Sequence, residues 1–242
     1  MEKLNVYNTT KKELIEAVIP IATRTYKPIS NEELINITLE SIYASGFELD
    51  KETYTQARNG NVANGKYTIS NVKDKDMQLQ IAFQNSYDRS LSLKWAIGAN
   101  VFICSNGCVS GDYGAFKKKH MGEITTFAPA TIIENIKHSS DIFEIMCNEK
   151  EAMKEIEISK SVRAELIGKM YIENDFIEST QLNIIKRELS KPTHDYKCEN
   201  SMWELYNFVN FSMKEVHPSL YMRNHINLHK FFQEQSSKLI LV

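Results

Sequence analysis

The stretch from Tyr67 to His120 decides the fold class, and it reads YTISNVKDKDMQLQIAFQNSYDRSLSLKWAIGANVFICSNGCVSGDYGAFKKKH. Between Met77 and Gln84, large apolar side chains alternate with glutamine and alanine. This period of two predicts a strand with one buried and one polar face. Leu91–Trp95 repeats the alternation, and the short turn before it predicts an antiparallel hairpin. Ala99–Cys104 is almost continuously apolar and predicts a further, buried strand.

Helical patterns flank this stretch on both sides. Ser30 is placed to cap a helix that Gly46 ends, and Glu33 completes a capping box. Residues 50–66 contain two Asn-Gly pairs and are interpreted as a loop or short hairpin. From Pro129 onward, apolar residues recur at helical spacing.

The order of these patterns predicts an α+β fold, in which an antiparallel β-meander of three to five strands is followed by a C-terminal helical region. The same patterns divide the chain into an N-terminal segment (1–29), a helix and antiparallel sheet core (30–128) and a helical region packed on the core (129–242). The late aromatic row from Trp203 to Phe232 is interpreted as core because such stripes at helical spacing are usually buried.

Composition excludes several classes of protein. The chain has 242 residues and a formal net charge of −2, so it is not coated in positive charge, although a local basic strip remains compatible with this sum. No apolar run is long enough to span a membrane, and the first residues lack the apolar core of a secretion signal. Four scattered cysteines make a poor disulfide framework, which predicts a cytosolic protein with reduced thiols.

Metal and catalytic motifs are weak. Cys104 and Cys108 are separated by three residues, and no second cysteine pair follows. A zinc site is therefore less favoured than the alternative, in which Cys104 is a small buried residue at the end of a strand. His225 and His229 lie four apart on one helix face, but Ile226 stands where a zinc protease has glutamate. The chain has no phosphate loop, dinucleotide fingerprint or nucleophile elbow. We therefore predict a non-enzymatic protein with no catalytic residue, no metal and no cofactor.

A basic cluster with nearby aromatic residues points instead to nucleic acid. Three consecutive lysines follow an aromatic pair, a pattern that suits a phosphate backbone with bases stacking beside it, whereas a solvated charged loop is the simpler alternative. The candidate interface contains Arg89, Lys94, Lys117, Lys118, Lys119 and His120 toward the phosphates and Tyr87, Tyr113 and Phe116 toward the bases.

Three segments carry a resemblance to a known family: FQNSYDRSLSLKWAIGANVFICSNGCVSGD (83–112), KKKHMGE (117–123) and SMWELYNFVNFSMKEVHP (201–218). In motif order they resemble the phage/plasmid-like family of unknown function, over roughly residues 30–230. The versions most alike are carried by crAss-like bacteriophages of gut Bacteroidales. Some relatives are described as single-stranded-DNA-binding, and the layout is similar in outline to annealing proteins of the RecT kind.

This resemblance implies a bacteriophage protein that acts in the cytoplasm of the infected bacterial host. The leading hypothesis is binding of single-stranded nucleic acid, DNA first, in replication or recombination, with strand annealing and homo-oligomers as accompanying expectations and no membrane contact. One alternative is a non-enzymatic structural, cargo or host-interaction protein. A second is a metal-dependent enzyme that uses Cys104, Cys108, His120 or the His225/His229 pair.

Overall fold

The computed structural model describes residues 6–101, 106–109, 114–216 and 218–240. The chain divides into two units. The first comprises Met1–Ala99 and Tyr113–Phe143, and the second comprises Asn100–Asp112 and Glu144–Val242. Residues 129–143, which the sequence patterns assigned to the helical region, therefore group with the sheet.

A meandering antiparallel sheet forms the first unit. The strands of the described chain are β1 (Val6–Thr9), β2 (Leu49–Ala57), β3 (Val62–Lys73), β4 (Met77–Ser86), β5 (Leu93–Val101), β6 (Asn106–Val109) and β7 (Ala115–Lys118). Apart from β6, which belongs to the second unit, they follow the order β1-β2-β3-β4-β5, with β7 paired to β5. The described part of the first unit thus has six strands rather than the three to five predicted.

The undercount has a local cause in the two Asn-Gly pairs. Asn59 and Gly60 both have positive φ and form the turn that joins β2 to β3. Asn64 and Gly65 lie instead within β3, opposite Gln84 and Phe83 of β4. The second pair therefore continues a strand, and a segment interpreted as loop or short hairpin contains most of two long strands.

Helices account for most of the remaining chain. They are α1 (Lys11–Ile15), α2 (Asn31–Ala44), α3 (Ile124–Lys137), α4 (Ser139–Glu155), α5 (Lys160–Gly168), α6 (Ser179–Ser190), α7 (Met202–Ser212) and α8 (Pro218–Ile240). A π-helical segment, Lys169–Glu173, follows α5, and a 3₁₀ turn, Met213–Glu215, follows α7. The predicted α+β class with a C-terminal helical region is confirmed.

Helix α2 begins and ends where its sequence predicts. The Ser30 hydroxyl accepts a hydrogen bond from the Glu33 amide at 2.9 Å, which satisfies one of the free amides of the first turn. Gly46 follows the last turn with φ of +74°, a backbone conformation that residues other than glycine rarely adopt. This helix and α3 bury apolar faces that contain Leu34, Ile42 and Ile132.

The two faces of the sheet differ sharply in chemistry. One face buries Tyr67, Ile81, Phe83 and Trp95 and belongs to the core of the first unit. On the other face, register pairs align polar side chains, for example Thr68 of β3 with Gln80 of β4. Because side chains alternate along a strand, the regular glutamine spacing of β4 places its amides on this second face.

Aromatic side chains pack the core of the second unit. Trp203 and Tyr206, three residues apart on α7, are buried and stack with their centroids 5.1 Å apart. Phe232 of α8 meets the Tyr206 ring edge-on at 5.2 Å. The interpretation of this row as core is confirmed for its buried members, which are Trp203, Tyr206, Phe208, Phe231 and Phe232. Phe211 and Tyr221 are half-buried. Across the described residues, every helix is too short or too polar to cross a membrane.

Candidate nucleic-acid interface

A row of polar side chains crosses the sheet of the first unit from edge to edge. Its members, in strand order, are Asn8, Thr55, Asn64, Gln84, Lys94 and Lys117. Register pairs join the first four of these, and Lys94 of β5 is paired with Lys117 of β7. The Lys94 Nζ donates to the Gln84 Oε1 at 3.0 Å, which places both halves of the row on one face.

Hydrogen bonds run along this row perpendicular to the strands. The Asn64 amide donates to the Thr55 hydroxyl at 3.1 Å, and the Gln84 amide donates to the Asn64 oxygen at 2.9 Å. Gln84 is 4% exposed and Lys94 is 7% exposed, whereas Thr55 and Asn64 are half-buried. A buried polar group must be paired to avoid a desolvation cost, so the chain of bonds fixes the orientation of every amide in it.

Two more lysines lie on the same face in neighbouring rows. Lys66 pairs with Thr53 and with Ala82, and Lys51 pairs with Thr68. Neither lysine was among the predicted site residues, because both fall in or beside the segment interpreted as loop or hairpin. Burial lowers the pKa of Lys66, and the nearby charge of Lys51 adds to this effect. None of the residues in these three rows is acidic.

Replacing Lys66 by methionine is expected to stabilise the protein by about 1 kcal/mol at pH 7, because a half-buried charge is removed and its aliphatic stem is kept. The folded state holds this proton less tightly than the unfolded chain. The charge of Lys66 therefore lowers the free energy of unfolding by its full amount below the folded pKa of Lys66. This destabilisation disappears as the pH rises through the unfolded pKa, about 10.4. Urea unfolding at pH 7 and pH 10 measures the difference. An advantage for methionine that grows at pH 10 would contradict it, and Lys12→Gln, at an exposed lysine of α1, is the control.

A cleft of about 370 Å³ lies at the end of the sheet where the β4–β5 loop and the end of β7 meet. Its lining consists of Thr25, Tyr26, Arg89, Ser90, Leu91, Ser92, Lys119, His120 and Met121. Three of the predicted site residues, Arg89, Lys119 and His120, are therefore brought together. Thr25 and Tyr26 come from the segment before α2, and no pattern in the sequence connects them with residues more than 60 positions later.

Arg89 is held in place by the loop that carries it. It has φ of +63°, and its guanidinium carbon lies 4.5 Å from the centroid of the Tyr26 ring. Tyr26 in turn donates its hydroxyl to the Tyr87 carbonyl at 3.1 Å. The ring and the arginine are thus fixed to the same loop, and cation–π contact orients the guanidinium before any ligand arrives.

Asp88 braces this loop from the other side. Its carboxylate accepts hydrogen bonds from the Ser86 hydroxyl at 2.6 Å, the Ser90 amide at 2.9 Å and the Arg58 guanidinium at 2.9 Å. Partial burial acts to raise the pKa of Asp88, but these bonds outweigh it and hold the pKa well below its usual range. The carboxylate is thereby held by two donors of its own β4–β5 segment and by Arg58 of the β2–β3 turn.

His120 is the buried member of the cleft. Its side chain lies beside the Tyr26 ring at 5.7 Å, and the residue is 4% exposed. Within the described chain, neither ring nitrogen has a hydrogen-bond partner. Its backbone carbonyl accepts from the Lys27 amide at 2.8 Å, which fixes the residue against the segment before α2. Burial lowers the pKa of His120, so the neutral ring offers one donor and one acceptor.

The polar row and the cleft adjoin each other along two strands. Ser92 in the cleft lies two residues before Lys94 on the β5 side, and Lys119 lies two residues after Lys117 on the β7 side. Because β5 and β7 are antiparallel and Leu93 pairs with Lys118, both approaches reach the same end of the sheet. One surface of the first unit therefore continues from the polar row into the cleft.

Other predicted site residues lie elsewhere. Tyr87 is buried, and its hydroxyl accepts from the Asn31 amide at 2.8 Å, so its ring is unavailable for base stacking. Phe116 stacks on the buried Trp95 at 6.2 Å, on the core face of the sheet. Lys118 is on that face too, with its Nζ 4.4 Å from the Phe127 centroid. Tyr113 lies outside the described residues.

The geometry of the described residues gives little support to a metal site at the candidate cysteines and histidines. Cys104 also lies outside the described residues, and Cys108 is a residue of strand β6. The His229 Nε2 is 3.0 Å from a carboxylate oxygen of Glu149, and the Gln233 amide donates to the other oxygen. Burial acts to raise the pKa of Glu149, but these partners lower it below its usual value. The pair links α8 to α4 within the second unit, the packing role expected by default for this histidine.

No solved structure matches the chain significantly. A family model described as "Domain of unknown function (DUF932)" matches residues 19–231, a span that includes the whole polar row except Asn8 and every residue of the cleft. The chain therefore belongs to this family of unknown function.

Proposed function

We propose that this protein binds single-stranded nucleic acid, most simply DNA, on the polar face of the sheet and the adjoining cleft. The observation that carries the proposal is the continuity of the polar row, with its Lys94 and Lys117, with the cleft that contains Arg89, Lys119 and His120. Cations along such a path neutralise successive phosphates and release their counterions, which is the main source of sequence-independent affinity. A net charge of −2 is compatible with this because binding depends on where the cations lie and not on the total charge of the chain.

Base contacts on this surface would come from amides and hydroxyls. The predicted aromatic platform is reduced, since Tyr87 and Phe116 pack into the first unit. Asn64 and Thr55 are half-buried and retain some access to solvent, and both kinds of side chain can donate to or accept from a base edge. We therefore expect weak sequence preference, with affinity dominated by phosphate contacts.

The biological setting of the proposal rests on the motif resemblance to phage and plasmid proteins. On that basis we infer a role in replication or recombination in the cytoplasm of a phage-infected bacterium. Strand annealing by a homo-oligomer is one form this role would take. Mixing complementary fluorescent strands with and without the protein tests annealing separately from binding.

A fluorescent single-stranded oligonucleotide should bind with a steep dependence on salt. Four cations on this surface, Lys51, Lys117, Lys119 and Arg89, are exposed, so the slope of log affinity against log salt should be about −3. Lys117→Gln should weaken binding and reduce the slope by about 0.7, the value for one single-strand phosphate contact. Fluorescence anisotropy at several salt concentrations measures both quantities.

Lys118 provides the matched control for this prediction. It is the next residue on β7, has the same chemistry and lies over Phe127 on the opposite face. Lys118→Gln should leave affinity and slope unchanged. Equal losses in both variants would show that the charge of β7 acts without regard to the face on which each lysine lies. An oligonucleotide that fails to bind at low salt would remove the proposal.

A further inference from the structure

The cleft at the end of the sheet is electrostatically one-sided. Among the described residues that line it, Arg89 and Lys119 are cationic and none is acidic. Both cations are exposed, so they are accessible to a ligand from solvent. The nearest carboxylate in sequence, Asp88, is engaged by Ser86, Ser90 and Arg58. An anion entering the cleft would therefore meet two cations and no acidic residue in the lining.

The wall of the cleft contains a buried donor without a partner. His120 is 4% exposed, lines the cleft and has no hydrogen-bond partner for either ring nitrogen among the described residues. A buried polar atom left unpaired costs free energy, and a ligand oxygen in the cleft would remove that cost. The hydroxyls of Thr25, Ser90 and Ser92 add further groups able to donate.

We propose that this cleft binds a phosphate monoester, carried by a nucleotide-sized ligand or by the 5′ end of a nucleic-acid strand. A guanidinium, an ammonium, an imidazole N–H and hydroxyls form a donor set suited to an oxyanion with several exposed oxygens. A volume of about 370 Å³ is within the range of small-ligand sites. The 5′-end form rests on the proposed nucleic-acid function, whereas binding of a free nucleotide does not.

Each cleft residue has a distinct part in this proposal. Arg89 is already oriented by the Tyr26 ring, so little side-chain freedom is lost when it forms two parallel hydrogen bonds to phosphate oxygens. Lys119 supplies a second charge at the mouth. His120 donates from the wall and favours the dianionic terminal group, which has three free oxygens, over a backbone diester with two.

The experiment compares ligands that differ only in the monoester. Calorimetric titration uses thymidine 5′-monophosphate against thymidine, and anisotropy competition uses one oligonucleotide with a 5′-phosphate or a 5′-hydroxyl. We expect measurable binding of the monophosphate but not of thymidine, and about tenfold tighter binding of the phosphorylated strand. Imidazole ¹H–¹⁵N spectra should show the His120 signals shifting as the monophosphate is added.

Arg89→Asn is the main variant, because asparagine tolerates the positive φ of this position and removes the charge. It should abolish the preference for the phosphorylated ligand. Lys119→Gln should reduce that preference without abolishing it. Lys118→Gln, which alters the neighbouring lysine on the core face, should retain the preference. These exposed positions keep the test valid if a His120 variant does not fold.

The outcomes separate the two proposals. A monophosphate that binds while oligonucleotides do not would support the cleft and remove the proposed function. Monophosphate binding with no effect of the 5′-phosphate on strands would identify a free nucleotide as the ligand. Oligonucleotides that bind equally with either end, with no binding of the monophosphate, would overturn this inference and leave the proposed function intact.

Discussion

Replacing Gly65 by alanine is expected to lower the free energy of unfolding by about 3 kcal/mol. A Cβ atom at this position would lie 2.2 Å from one carbon of the Phe83 ring and within 3 Å of two others. Gly65 and Phe83 are register partners on the core face, and the Phe83 ring is almost completely buried, so it has little room to withdraw. The cost is steric, because Gly65 is in a regular strand conformation that alanine also adopts.

A double-mutant cycle tests this cause. Phe83→Leu should cost about 1–2 kcal/mol alone, and in that background Gly65→Ala should cost less than half as much as in the wild type. Gly168→Ala is the control, since no atom lies within 4 Å of its added Cβ and helix α5 gains from alanine. Additive costs for Gly65→Ala and Phe83→Leu would show that the ring is not the obstacle.

Gly65 also shows how far local patterns reach in this chain. The alternation in β4 and the capping of α2 are properties of neighbouring residues, and both were predicted from sequence. The Asn-Gly pair at Asn64 is ambiguous locally, because the same dipeptide suits a tight turn or a strand crossed by a large ring. Its meaning depends on Phe83, which lies 18 positions from Gly65, and a pattern read along the chain does not contain that pairing.

In the candidate site, too, features set by neighbouring residues were predicted and features set by distant contacts were not. The basic residues Arg89, Lys119 and His120 stood out as a cluster and line one cleft. The direction of each side chain depends on strand parity, which the lysine run alone does not specify, so Lys117 and Lys118 were predicted together and lie on opposite faces. Tyr26 was missed because its contribution arises from packing against a distant segment, and Lys66 was missed because its strand was interpreted as a loop or short hairpin.

The loop that carries Arg89 should depend strongly on one carboxylate. Asp88→Ala is expected to lower the free energy of unfolding by about 2 kcal/mol at pH 7, because three donors lose a charged acceptor. It should also weaken phosphate binding in the cleft, although Asp88 does not line it, since Arg89 would lose the support for its positive φ. Asp141→Ala, at an exposed aspartate of α4, should change the stability by less than about 0.5 kcal/mol.

The pH dependence identifies the origin of this loss. The folded pKa of Asp88 is depressed, so its contribution to stability is complete above the unfolded pKa, about 3.9, and is lost as the pH falls through the folded value. The difference between wild type and Asp88→Ala in urea unfolding should therefore stay constant from pH 7 to about 5 and shrink below about pH 4. A difference that persists unchanged at pH 2.5 would assign the loss to packing.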